Sequence, residues 1–151
     1  MIGAVYPAGH APPVAAPRRD RGRPPLEPHL RVLEIGCGPG AAARAVAARL
    51  GTGHVLAIDR SAAAIEQARA AAAGEIAAGR MSVRQVAGED FVLLPGEEPY
   101  DLVFAVRVGA LDGRHPEAGR LLLRRLALAT RPGARLFIDG GDPLREVPIP
   151  R

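Results

Sequence analysis

The stretch that most constrains this chain is Val32-Leu33-Glu34-Ile35-Gly36-Cys37-Gly38-Pro39-Gly40. A short apolar run delivers three glycines at alternate positions. An alanine-rich helical pattern follows, and a second apolar run, Val55-Leu56-Ala57-Ile58, ends in Asp59. This is the layout of a nucleotide-binding βαβ unit: the strand feeds a turn without side chains, a ligand approaches bare backbone there, and the acidic residue closing the next strand accepts hydrogen bonds from ribose hydroxyls. Asp59 follows Gly36 by 23 residues, close to the roughly 20 expected of such units.

The rest of the chain extends the alternation. Strands are predicted at Leu30 to Ile35, His54 to Asp59, Met81 to Val86, Tyr100 to Val106 and Arg135 to Asp139. Helices are predicted at Ala41 to Leu50, after the N-cap residue Ser61 through Ala72, and from Pro116 through Leu128. Pro95, Gly96 and Pro99 leave room for only a turn or stub between the third and fourth strands. Strands alternating with helices imply a parallel α/β sheet with right-handed crossovers. Residues 1–28 carry seven prolines and no apolar periodicity, so they read as an extended or disordered tail. Residues 29–142 read as the domain and residues 143–151 as a second, short tail.

The glycine turn admits two cofactors. Read as Gly36-x-Gly38-x-x-Ala41, it passes as the dinucleotide fingerprint of an NAD(P)-dependent oxidoreductase. Read from Glu34, as Glu34-x-Gly36-x-Gly38-x-Gly40, it resembles motif I of the class I S-adenosylmethionine-dependent methyltransferases. Two features favour the second reading. A carboxylate inside the strand is costly unless paired, and a pyrophosphate gains nothing from it. Pro39 removes a backbone donor where a pyrophosphate would use one. Later segments resemble later motifs of that family: Gly88-Glu89-Asp90-Phe91, Tyr100-Asp101-Leu102-Val103-Phe104-Ala105, and Arg131-Pro132-Gly133-Ala134-Arg135-Leu136-Phe137-Ile138-Asp139. The resemblance runs from about Leu30 to Gly141.

The resemblance implies a Rossmann-like doubly wound parallel sheet of about five strands, order 3-2-1-4-5. The family's sixth and seventh strands have no counterpart in the sequence, so the fifth strand is expected to be an open edge that invites pairing with a second chain. It also implies S-adenosyl-L-methionine as cofactor, with Glu34, Gly36, Cys37 and Gly38 at its methionine end, Asp59 at the ribose and Arg60 beside the adenosine. Glu89, Asp90 and Phe91 would surround the adenine, with Asp90 slightly preferred over Glu89 as its partner. Val106 and Arg107 would offer backbone near the methionine amine. In the following loop, Asp112 and His115 are weak candidates for a base or a substrate-orienting group, and the plainer reading of both is a solvated loop before a helix.

The implied reaction, methyl transfer, is catalysis by alignment and needs a general base only for a protonated acceptor. The family's Asn-Pro-Pro-Tyr signature is missing after the fourth strand, which favours a small-molecule acceptor. A non-catalytic cofactor-binding or interaction module stays open beside the two enzyme readings.

Composition trims the alternatives. All 20 basic residues are arginine, and the net charge is only +4. An arginine-only, Ala/Gly/Pro-rich chain reflects codon bias, which weakens any reading of a single arginine. No aromatic-interleaved basic patch of the kind single-stranded nucleic acid needs is present. Cys37 is the lone cysteine and reads as a small residue filling a tight turn, not a nucleophile. No metal site is expected. No apolar run reaches a membrane span of about 18 residues, and the amino terminus lacks a signal-peptide pattern, so the chain reads as cytoplasmic.

Overall fold

The computed structural model describes residues 26–141 and 144–151. Its strands are β1 (Arg31–Ile35), β2 (His54–Asp59), β3 (Met81–Gln85), β4 (Tyr100–Ala105), β5 (Thr130–Asp139) and β6 (Leu144–Val147). Its helices are α1 (Ala41–Ala47), α2 (Ala62–Ala71), α3 (Ala73–Ala77) and α4 (Pro116–Ala129), with one 3-10 turn at Gly88–Asp90. The sheet order is β3-β2-β1-β4-β5-β6. All neighbours are parallel except the β5–β6 pair.

Period-two alternation sorts the strand residues onto two faces. Val32, Val55, Ala57 and Phe104 pack under α1 and α2 with Ala43, Val46, Ile65 and Ala68. Leu33, Ile35, Leu56, Ile58 and Val103 pack under α4 with Leu122 and Leu126. Each buried Leu or Ile contributes about 1.5–3 kcal/mol, so both faces must be covered. A small second layer suffices on the first face because α1 and α2 are alanine-rich and lie close. Ser61 caps α2 by accepting from Ala64 N at 3.2 Å, as its position predicts. The helical segment after it breaks at Ala72, where φ is −99° and ψ 18°.

Four expectations change. The sheet has six strands, because Leu144–Val147 pairs antiparallel with β5, and Arg135 of β5 grips Glu146 of β6 at 2.8 and 2.7 Å. The segment expected to be a tail is therefore partly sheet. β5, the strand expected to be open to a second chain, is covered on that side by β6. The amino-terminal boundary also moves: Leu26 packs against the core, and Pro28 O accepts from Gly51, Thr52 and Gly53 N at 2.8–3.2 Å. The remainder of the expected amino-terminal tail, residues 1–25, lies outside the described residues. As expected, the β3–β4 crossover holds no full helix, only the 3-10 turn and an irregular loop. Among the described residues no helix is long and apolar enough to cross a membrane.

Candidate functional site

In a parallel sheet of this kind ligands sit beyond the carboxyl ends of the strands, where neighbouring crossovers leave on opposite faces. That point here is the gap between β1 and β4, and it opens into a cleft of about 550 Å3. Its walls come from the glycine turn after β1, the end of β2, the residues after β3, and the loop between β4 and α4.

The turn is built as its glycines require. Gly36, Gly38 and Gly40 have φ of +71°, +53° and +87°, values at which a side chain is strained. A Cβ on Gly36 would lie 2.8 Å from Val108 Cγ2, so the β4–α4 loop packs here against bare backbone. Asp59 holds the turn from the next strand: its Oδ2 accepts from Gly38 N at 2.9 Å and its Oδ1 from Ser61 N at 2.8 Å. Each oxygen keeps further acceptor capacity toward a ligand.

Glu34 lies on the same sheet face, 4 % exposed, and its Oε2 finds no hydrogen-bond partner among the described residues. Burial, and then the Asp59 carboxylate, push the Glu34 carboxyl up to about 8. An orphaned carboxyl oxygen beneath a glycine turn is a site shaped for a cation or a strong donor, since an unpaired buried polar atom is otherwise a net cost. Cys37 is buried in the turn, and its thiol is pushed up to about 12 by burial and by Glu34 and Asp59. It stays a neutral thiol and fills space, as its sequence position suggests.

The other candidates divide. Gly36, Asp59, Arg60, Glu89, Arg107 and His115 line the cleft. Asp90 is exposed and does not, so of the two acidic residues it is Glu89 that faces the opening. Phe91 is 1 % exposed and packs edge-on against Tyr100, ring centroids 6.2 Å apart, while Arg84 covers its ring at 5.6 Å. It has no face left for an adenine ring. Val106 is half-exposed just after β4 and also lies off the lining. Asp112 is tied to Arg114, whose Nε lies 2.8 Å from its Oδ2, and that guanidinium holds its carboxyl below the usual range. A base so paired is a poor one. Sequence reading gave no site role to Val86, Ala87 and Gly88, which line the cleft after β3. Their place at the carboxyl end of a strand was the available signal.

A family model for a methyltransferase domain matches residues 32–133. The chain belongs to this methyltransferase family. The matched range spans β1 to the early part of β5 and so contains every wall of the cleft. Over 118 residues the domain is 41% identical to a protein-L-isoaspartate O-methyltransferase of Methylorubrum populi, covering 78% of this chain and 48% of that one. Over 126 residues it is 33% identical to a trans-aconitate 2-methyltransferase of Methylobacterium nodulans, covering 82% and 43%. The chain thus spans less than half the length of each of these curated relatives. A solved coclaurine N-methyltransferase bound to N-methylheliamine and S-adenosylhomocysteine shares the fold, with a TM-score of 0.61 at 20% identity over 75% of this chain and 31% of that one.

Proposed function

We propose that this methyltransferase domain binds S-adenosyl-L-methionine in the cleft and passes its methyl group to a small-molecule acceptor. The observation that carries the reading is the unpartnered, buried Glu34 oxygen beneath the glycine turn. A cationic methionine head supplies what that carboxyl lacks, and an ionised pyrophosphate has no donor to offer it. The residues present fit the cofactor in the other respects as well. The turn offers backbone without side chains at Gly36 and Gly38. Asp59 has acceptor capacity for a ribose diol, Arg60 stands beside it, and Glu89 is the acidic group facing the cleft on the adenine side.

When bound, the cofactor supplies an activated methyl group on a neutral leaving group. The chain's own residues then bind, orient and exclude water. Glu34 anchors one end, Asp59 fixes the other, and the β4–α4 loop, from Arg107 onward, positions the acceptor opposite them. A cleft of about 550 Å3 is of the size that takes one cofactor and a small acceptor. One of the curated relatives is named for a small acceptor, trans-aconitate.

Calorimetric titration of the purified chain with S-adenosylhomocysteine and, separately, with NAD tests the proposal. The expected result is saturable binding of the first and none of the second. Asp59→Ala should weaken it by about 1–3 kcal/mol, the value of lost charge-assisted hydrogen bonds. Binding of NAD alone, or of neither ligand at millimolar concentration by folded protein, overturns the proposal.

A further inference from the structure

The cleft is divided by charge. The β1–β2–β3 side is lined by the carboxylates Asp59 and Glu89 with one cation, Arg60, and Glu34 lies buried behind that lining. The β4–α4 side is lined by Arg107, Arg114 and His115 and by no carboxylate, Asp112 lying off the lining. On this second wall Arg114 is committed to Asp112, with Nη2 2.7 Å from Oδ2. Arg107 is not committed: among the described residues its guanidinium has no hydrogen bond and no ion pair. Arg107 is also the only described non-glycine residue with positive φ, at +56°. Arginine has no preference for that conformation, and strained residues of this kind persist where the surroundings impose them, commonly at ligand sites. Codon bias explains why a basic residue here is arginine. It does not explain a strained backbone that places an unpaired arginine at the rim of this cleft.

We infer that the acceptor is a carboxylic acid, held by the Arg107 guanidinium on the β4–α4 wall, and that the product is its methyl ester. The inference rests on the methyltransferase reading above and names the substrate class of that site. The planar guanidinium matches a carboxylate in a two-point grip. The chemistry asks little of the wall. A carboxylate oxygen is already deprotonated at neutral pH, so no general base is required: Asp112 can stay held by Arg114, and His115 has no proton to take. In the step, a carboxylate lone pair forms the new O–CH3 bond as the S–CH3 bond of the sulfonium donor breaks. The electrons of the broken bond stay on sulfur. One negative and one positive charge annihilate, and no proton is taken up or released. An acidic wall for the cationic donor faces a basic wall for the anionic acceptor.

The test is binding, read by the arginine Nε–Hε resonances of the isotopically labelled chain saturated with S-adenosylhomocysteine. The probes are benzoate, succinate and propane-1,2,3-tricarboxylate, each beside its neutral amide. Arg107→Lys, by removing one peak, assigns the Arg107 resonance. The expected result is that at least one carboxylate shifts the Arg107 peak saturably, that its amide does not, and that Arg107→Gln weakens that carboxylate about tenfold or more. A second readout is turnover with methyl-labelled donor, where the product should release methanol in mild alkali, as an ester does. If the chain binds S-adenosylhomocysteine yet no carboxylate moves the Arg107 resonance, or amides bind as well as acids, or Arg107→Gln binds as tightly as wild type, the inference fails while the cofactor reading stands. If S-adenosylhomocysteine does not bind either, both fail together.

Discussion

The two walls of the cleft are made in different ways. The β1–β2 wall is built from backbone and buried groups: positive-φ glycines, an aspartate clasping the turn, a glutamate in the core. The β4–α4 wall is built from exposed side chains on a loop, with one residue, Arg107, held in a conformation its type does not favour. Changes on the first wall therefore act on folding and binding together. Changes on the second should act on binding with little cost, or even a gain, in stability.

The largest expected effect is at Glu34. Its folded-state value of about 8 lies above its ordinary 4.5, so the folded, ligand-free chain holds a proton more tightly than the unfolded one. No penalty exists below about pH 4.5. Stability then falls as pH rises toward 8, by up to about 1.4 kcal/mol per pH unit, and the loss is complete once Glu34 ionises in the folded state. Glu97 is held down to about 2 despite partial burial, by Arg84, Leu94 N and the Tyr100 hydroxyl, so its own pH window lies below 4.5 and does not overlap. Urea unfolding of the ligand-free chain at pH 5 and pH 8 should show a drop of several kcal/mol, and Glu34→Gln should flatten it. An equal drop in the variant would show that Glu34 is not the group responsible.

Next come two glycines of like φ. Gly40 (+87°) ends the glycine turn, and a Cβ there would lie 3.0 Å from Ala68 Cβ and 3.4 Å from Ala68 Cα. Gly113 (+91°) lies in the β4–α4 loop with nothing within 4 Å. Gly40→Val bears both backbone strain and overpacking, about 2–4 kcal/mol together. Gly113→Ala bears the strain alone, about 1 kcal/mol. Denaturant midpoints of the two variants check the ratio, and equal losses would remove the distinction between the walls.

The same contrast decides what could be read before the fold was known. β1, the turn, β2 and Asp59 were legible because apolar runs, glycines and an acidic strand end are chemical necessities of that geometry. The place of Asp59 at the cleft followed from its position alone. Phe91, expected beside an adenine, lies in the core, because a large apolar residue at that position serves the core equally well, and only packing against Tyr100 tells the two apart. β6 was illegible for a physical reason: four residues with only Leu144 and Val147 apolar, on opposite faces, give neither alternation nor length, and the strand exists because β5 offers it a partner. The helix break falls at Ala72 and not at Gly74, whose added Cβ would meet nothing, so glycine there carries no structural demand. The strain at Arg107 leaves no trace in sequence, since nothing about arginine announces positive φ.

Arg107→Gly is the smallest of the expected effects and the one that sharpens the comparison most. Glycine adopts φ near +56° freely, so the folded state sheds about 1–2 kcal/mol of backbone strain. The unfolded chain gains entropy from the new glycine, which offsets part of that, by about 0.4–1 kcal/mol. No ion pair or hydrogen bond of the Arg107 side chain is lost among the described residues. The net is a gain of up to about 1 kcal/mol, visible as a raised denaturant midpoint, in a variant that has lost its guanidinium. A residue kept at a cost to stability, whose removal steadies the fold and weakens carboxylate binding, is a residue held in place for the ligand. A lowered midpoint would mean that the surrounding loop depends on the arginine side chain, and the β4–α4 wall would then be structural in the same sense as the wall across from it.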